Sequence, residues 1–66
     1  NLILRGANLS FSSLANSALY SIEFKGCSNL EKTDFRDSTL NGIIFNNSNC
    51  KNSNFRNSKL INVRFD

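Results

Sequence analysis

The charged residues that could do acid–base chemistry are clustered in one short stretch of the chain. Glu31, Asp34 and Asp37 follow one another at intervals of three residues, and paired carboxylates are what general acid–base catalysis uses. Lys32 and Arg36 alternate with these acids, and such alternation is typical of solvated ion pairs on a protein surface. The stretch therefore predicts an exposed charged surface and no catalytic site.

The other residue types that carry chemistry are scarce. The chain has no His, and its two Cys, Cys27 and Cys50, do not form a CxxC motif. Without an imidazole no base is available to activate a Ser nucleophile, and two thiols are too few for a zinc site. We therefore expect no catalytic, cofactor-binding or metal-binding residues. Two free thiols also predict a reducing, cytoplasmic compartment.

A five-residue repeat must position all of these side chains. Twelve of the fourteen Leu and Phe residues lie on one register of period five, with a single six-residue step, and Cys50 fills the remaining slot. Five matches neither the 3.6-residue period of a helix nor the two-residue period of a strand. We expect short extended segments separated by turns, each pointing inward with the Leu or Phe and with the residue two positions before it. The register comprises Leu4, Leu9, Leu14, Leu19, Phe24, Leu30, Phe35, Leu40, Phe45, Phe55, Leu60 and Phe65.

The units share the order small residue, Asn or Asp, Leu or Phe, and two further residues. Examples are 7–11 (Ala-Asn-Leu-Ser-Phe), 33–37 (Thr-Asp-Phe-Arg-Asp) and 53–57 (Ser-Asn-Phe-Arg-Asn). This pattern resembles the pentapeptide-repeat family over essentially the whole chain. The resemblance implies an all-β fold, a right-handed quadrilateral parallel β-helix of about three coils with four units in each coil.

The sequence supports four units per coil independently of the family, because every fourth unit is similar. The large aliphatic residues at the second inward position recur only in every fourth unit, at Leu2, Ile22, Ile43 and Val63. Stacking every fourth unit predicts three columns of core side chains. These are Phe24, Phe45 and Phe65; Leu19, Leu40 and Leu60; and Phe35 and Phe55.

Polar residues also recur in columns. Ser17, Ser38 and Ser58 should lie inside the coil and satisfy their hydroxyls on neighbouring backbone. Asn8, Asn29 and Asn49 form a second column, and Asn16, Asp37 and Asn57 a third; we expect these to stabilise turns, with amide ladders as one means.

One interval departs from five, because Phe24 and Leu30 are six residues apart. We expect a one-residue bulge near 25–27, where Gly26 tolerates positive φ. The register resumes afterwards, so residues 1–66 are predicted to form one β-helix, as a segment of a longer protein. Its uncapped coils could associate end to end, because solenoids need polar caps to stay soluble.

Two groups of outward residues are candidates for an interaction surface. Phe11, Tyr20, Ile44 and Ile61 occupy outward positions where polar residues are expected, and the last three lie around one edge, the candidate interface. Arg36 and Arg56 occupy one outward position in successive coils, and the net charge of +3 is concentrated in residues 46–66. This short basic column is first interpreted as a solvated charged face, and an acidic protein is the preferred partner if it binds one. Nucleic acid is not favoured, because the column lacks interleaved aromatic residues.

We therefore expect a non-enzymatic structural or protein–protein interaction module, part of a larger bacterial protein. A secreted effector is one setting that the family resemblance implies. The alternative is an inhibitor of type II topoisomerase that mimics DNA, an activity known in this family. That mimicry requires an acidic surface, and the charge of +3 argues against it. No apolar run approaches the roughly 20 residues needed to span a membrane.

Overall fold

The computed structural model describes residues 2–26 and 28–66 and consists of short strands joined by turns. The strands are β1 (Leu2–Arg5), β2 (Ala18–Tyr20), β3 (Ile22–Lys25), β4 (Thr39–Asn41), β5 (Ile44–Phe45), β6 (Lys59–Ile61) and β7 (Arg64–Phe65). Across the described residues, no helix is long and apolar enough to cross a membrane.

All strand pairs are parallel and form two sides of a square coil. Strands β1, β3, β5 and β7 make a four-stranded sheet, in which Leu4, Phe24, Phe45 and Phe65 are aligned. Strands β2, β4 and β6 make a three-stranded sheet that aligns Leu19, Leu40 and Leu60. We call these sides face 1 and face 4.

Isolated parallel bridges hold the two remaining sides together. Asn8, Asn29 and Asn49 are paired in sequence on face 2, which comprises residues 7–11, 28–32 and 48–52. Bridges Ser13–Asp34 and Asp34–Asn54 align face 3, comprising residues 12–16, 33–37 and 53–57. The chain is thus a β-solenoid of about three turns, which confirms the predicted quadrilateral β-helix with four units per coil.

The conformation of the chain at the corners of the square explains which residue types end each unit. Every described corner residue, two positions after the Leu, Phe or Cys, has a positive φ. This left-handed conformation suits Gly and Asn and is unfavourable for bulky side chains. The corner residues are Gly6, Phe11, Asn16, Ser21, Gly26, Lys32, Asp37, Gly42, Asn47, Asn52, Asn57 and Asn62.

Hydroxyl groups at the first position of a unit tie successive coils together. The Oγ of Ser38 donates to the carbonyl of Leu14 at 2.7 Å, and the Oγ1 of Thr33 donates to the carbonyl of Leu9 at 2.8 Å. In both cases the donor lies just after a corner, and the acceptor lies before that corner in the preceding coil. Among the described residues, no buried side-chain nitrogen or oxygen lacks a hydrogen-bond partner. The hydroxyls are therefore structural.

The core is a set of stacked rings and aliphatic side chains in the middle coil. Phe24, Leu30, Phe35, Leu40, Ile43 and Phe45 are buried. The rings of Phe35 and Phe55 are parallel, with centroids 4.9 Å apart, and the ring of Phe45 meets both of them edge-on. Such offset and edge-on arrangements suit the quadrupoles of aromatic rings.

Two residues expected in the core are largely exposed. Phe65 is 57% exposed and Leu60 is 44% exposed. Both align with the inward columns, but they belong to the last coil, and no described residue packs below them. Their alignment with the column is as expected, whereas their burial is not.

The pairing also locates the extra residue of the six-residue interval. Arg5 pairs with Lys25, an offset of 20, whereas Asn8 pairs with Asn29, an offset of 21. One additional residue therefore enters the second coil between Lys25 and Asn29. Gly26, at this corner, has a φ of 58°. Cys27, also part of the predicted bulge, lies outside the described residues.

Candidate interaction surfaces

The outward apolar residues of faces 4 and 1 meet at one edge of the solenoid. Tyr20 and Ile61 lie in the same column of face 4, two coils apart, with Asn41 between them. Around the corner, Ile3 and Ile44 lie in one column of face 1 with Glu23 between them. We call Tyr20, Ile61, Ile3 and Ile44 the apolar edge.

Small corner residues make this edge concave. Ser21 and Gly42 separate the two columns, and a Cβ placed on Gly42 would lie 3.6–3.7 Å from atoms of Ser21. A shallow cavity of about 120 Å³ results there, large enough for one apolar side chain. Its walls are formed by Leu2, Ile3, Ser21, Ile22, Glu23, Gly42 and Ile44.

Exposure differs along the apolar edge. Tyr20 is 60% exposed and Ile3 is 51% exposed, whereas Ile44 and Ile61 are half-buried. The sequence analysis singled out Tyr20, Ile44 and Ile61 but not Ile3. Ile3 could have been identified from its position, because it occupies the same outward position as Ile44, two coils earlier.

The basic residues Arg36 and Arg56 lie on a different side, face 3. Both are exposed, and one full side of the square separates their column from that of Tyr20 and Ile61. The structure therefore does not join the two groups of candidate residues into one surface. It shows one apolar edge and one basic column.

Only one member of the basic column is neutralised by a neighbouring acid. Arg36 donates from Nε to both carboxylate oxygens of Asp34 at 3.0 Å, and its second terminal nitrogen lies 2.9 Å from Oδ2. The side-chain hydrogen bond from Arg36 holds the pKa of Asp34 below its ordinary value of 3.8. In the next coil Asn54 replaces the acid, and among the described residues Arg56 has no ion-pair partner.

The clustered carboxylates do not form a catalytic pair. Asp34 forms an ion pair with Arg36, and its Oδ1 also accepts a hydrogen bond from the backbone N–H of Arg36. Asp37 is an exposed corner residue with a φ of 56°. Glu31 receives no ion pair from the described residues. This arrangement has the character of a solvated charged surface.

The Asn column of face 2 stabilises turns within each coil. The Oδ1 atoms of Asn8, Asn29 and Asn49 each accept a hydrogen bond from the backbone N–H two residues later, at 3.0–3.1 Å. This is the Asx-turn geometry. These amides therefore act along the chain, not as a ladder between coils.

At the corner between faces 2 and 3, the sequence analysis identified Phe11 as an outward apolar residue but not the residue that it contacts. Phe11 is 72% exposed there, with a φ of 61°. In the next coil Lys32 occupies the same corner, and its Nζ lies 5.2 Å from the centroid of the Phe11 ring. We call Phe11 and Lys32, with Lys51, which precedes the corner residue Asn52 of the third coil, the Phe11 corner.

Metal binding and thiol chemistry have little support in the described part of the chain. No group of three or more His, Cys, Asp or Glu side chains is placed to hold a metal ion there. Cys50 is a free, half-buried thiol on the inner side of face 2, and burial raises its pKa. It is therefore a poor nucleophile at neutral pH, because the thiolate is the reactive form.

Comparison with known proteins gives one result. A family model described as pentapeptide repeats matches the chain in eight copies, over residues 3–42 and 33–66. No curated protein and no solved structure matches it significantly.

Proposed function

The chain belongs to the pentapeptide-repeat family, and we propose that it is a non-enzymatic module that presents a rigid surface to a protein partner. A solenoid of this family is generally a non-catalytic repeat fold. The inner positions of every unit are used for stacking, and the corners are used for turns. Only outward residues that depart from the repeat are left to specify a partner.

The apolar edge is the observation that supports this proposal. Tyr20 and Ile3 are more than half exposed, and a cavity sized for one apolar side chain lies at the corner of faces 4 and 1, with walls from face 1 and the corner residues. Exposed aromatic residues beside a pocket are typical of the centres of protein interfaces. The parallel sheets of faces 1 and 4 hold this edge in place, so little ordering is needed on binding.

The proposed partner docks an apolar side chain into this cavity. Glu23 lines the cavity, and Lys25 lies 3.6 Å from its carboxylate. The one carboxylate of the cavity wall is therefore already paired, and it lies between the apolar side chains of Ile3 and Ile44. Apolar side chains combined with an already paired polar group suit contact with a protein surface.

The charge distribution favours this function over mimicry of DNA. A mimic of the phosphate backbone requires an acidic surface, whereas the chain carries eight basic and five acidic residues. We further propose that the chain works as part of a larger bacterial protein, either in the cytoplasm or as a secreted effector. Free Cys50 is compatible with a reducing compartment.

The test is co-purification from the source cells with paired variants of the tagged protein. Tyr20→Ser combined with Ile61→Ser alters the apolar edge, and Ala15→Ser on face 3 is the control. We expect a discrete partner to be retained by the wild type and by the control but lost from the double variant. Equal recovery with all three proteins would contradict the proposal. Circular dichroism of each variant checks that the fold is intact.

A further inference from the structure

Phe11 is an exception among the corners of the solenoid. Ten of the twelve described corner residues are Gly, Asn, Asp or Ser, and Phe11 is the only aromatic residue among them. A bulky side chain at positive φ is unfavourable, and the ring gains little burial because it is 72% exposed. Strained residues of this kind are concentrated at functional sites. Phe11 therefore marks a surface that folding alone does not account for.

The second exception occupies the same corner one coil later. Lys32 has a φ of 55°, and its ammonium lies 5.2 Å from the Phe11 ring centroid. Among the described residues it has no carboxylate partner. The two strained corner residues thus form one exposed unit, an aromatic ring beside a free positive charge.

Further positive charge extends from this unit into the third coil. The backbone N–H of Lys32 donates to the carbonyl of Lys51 at 2.9 Å, so the two residues are adjacent. Lys51 and Arg56 are exposed and have no ion pair with the described residues. Of the nearby acids, Asp34 is neutralised by Arg36, whereas Glu31 and Asp37 have no ion pair with the described residues. Glu31 lies beside this corner, and Asp37 lies at the far end of face 3.

We propose that the Phe11 corner binds an acidic segment of a protein that also carries apolar side chains. Carboxylates of the segment pair with Lys32, Lys51 and Arg56, and an apolar or aromatic side chain packs on the Phe11 ring. This inference deepens the proposed function, because it assigns a partner chemistry to a second surface. It does not depend on the apolar edge, which lies at the opposite corner of the square.

A protein segment fits this surface better than a nucleic acid. Single-stranded nucleic acids stack successive bases on several aromatic side chains along a basic groove, and the Phe11 corner offers one ring. The carboxylate of Glu31 lies in the same face as Lys51 and would repel a continuous phosphate backbone. A peptide can place its acids selectively beside the lysines.

The experiment measures fluorescence anisotropy of labelled probes with the purified 66-residue chain. The first probe is a peptide of glutamate and phenylalanine, and the second replaces each glutamate with glutamine. The third is an oligothymidylate of the same length. We expect saturable binding of the acidic peptide, weakened by salt, and at least tenfold weaker binding of the other two.

Phe11→Asn separates binding from folding. We expect it to weaken binding of the acidic peptide by about tenfold or more, as loss of a central aromatic contact does. The same variant should raise Tm by a few degrees, because relief of the left-handed strain outweighs loss of an exposed cation–π contact. Ser21→Asn, at a corner away from this surface, should raise Tm without changing the affinity.

The outcomes distinguish this inference from the proposed function. Unchanged affinity in Phe11→Asn, or tighter binding of oligothymidylate than of the acidic peptide, would overturn the inference. Neither result would affect the apolar edge, whose double variant Tyr20→Ser with Ile61→Ser should bind the acidic peptide normally. Reduced peptide binding in that double variant would contradict the separation of the two surfaces.

Discussion

The ring of Phe45 stacks on the ring of Phe24 with 5.3 Å between centroids and an angle of 4° between planes. On its other side Phe45 stacks on Phe65 at 4.9 Å. A buried ring with a ring on each side is the central contact of face 1, and it joins the second coil, the third coil and the last strand.

Phe45→Ala should therefore be strongly destabilising. Removing a buried Phe leaves a cavity in the stack, and such substitutions cost about 3–5 kcal/mol, which is most of the stability expected of a small domain. Phe65→Ala is the matched comparison and should cost less than half as much, because Phe65 is 57% exposed. Urea denaturation measures both. Equal destabilisation by the two variants would contradict the assigned positions.

The contribution of the hydroxyl hydrogen bonds between coils to stability can be tested at Thr33. Thr33→Val keeps the shape of the buried side chain but removes its hydrogen bond to the carbonyl of Leu9, which then accepts only from the backbone N–H of Ser12. We expect a loss of about 1–2 kcal/mol in the free energy of unfolding. Thr39→Val, on the outward side of β4, is the control and should change stability by less than about 0.5 kcal/mol. If the Thr33→Val variant is as stable as the control, this hydrogen bond does not contribute to the free energy of unfolding.

The left-handed corners make a separate prediction at Asn57, whose φ is 57°. Asn57→Ala should cost about 1 kcal/mol, because alanine is disfavoured at positive φ. Asn57→Gly should stay within a few tenths of a kcal/mol of the wild type, because glycine adopts this conformation freely. Thermal or urea melts of the pair give the difference. If alanine is tolerated as well as glycine, the corner is not strained.

The Arg36–Asp34 pair predicts a pH effect limited to acid solution. The pKa of Asp34 is lowered in the folded state, so the contribution of the pair is fully present above the ordinary value of 3.8 and is lost as pH falls through the lowered pKa. An NMR titration of the Asp34 carboxyl should give a midpoint below 3.8. In Arg36→Gln the midpoint should return towards the ordinary value. An unchanged midpoint in this variant would assign the shift to another group.

Much of the fold could be predicted because every five-residue unit has the same local structure, in which the Leu or Phe points inward and a turn follows. Alignment of Leu4 with Phe24 or of Leu19 with Leu40 follows from stacking every fourth unit, which the large aliphatic residues at Leu2, Ile22, Ile43 and Val63 reveal. Burial could not be predicted in the same way. Leu60 and Phe65 point inward in this local structure, but burial also requires a coil on the far side.

The surfaces were less predictable because a repeat gives the direction of a side chain but not its neighbours across a corner. Phe11, Tyr20, Ile44 and Ile61 were recognised as departures from polar positions, whereas the contact between Phe11 and Lys32 was not predicted. That contact joins two residues that are 21 positions apart in the sequence. The available signal was that both depart from Gly, Asn, Asp or Ser at the corner position of units that stack on one another.

The most direct test of the central claim is site-specific photo-crosslinking in the source cells. A photoreactive phenylalanine analogue replaces Tyr20 on the apolar edge, and in a matched protein it replaces Ala15 on face 3. The account predicts a discrete crosslinked protein from position 20 that is absent from position 15. No adduct at position 20, or the same adducts from both positions, would contradict the claim that this edge receives a protein partner.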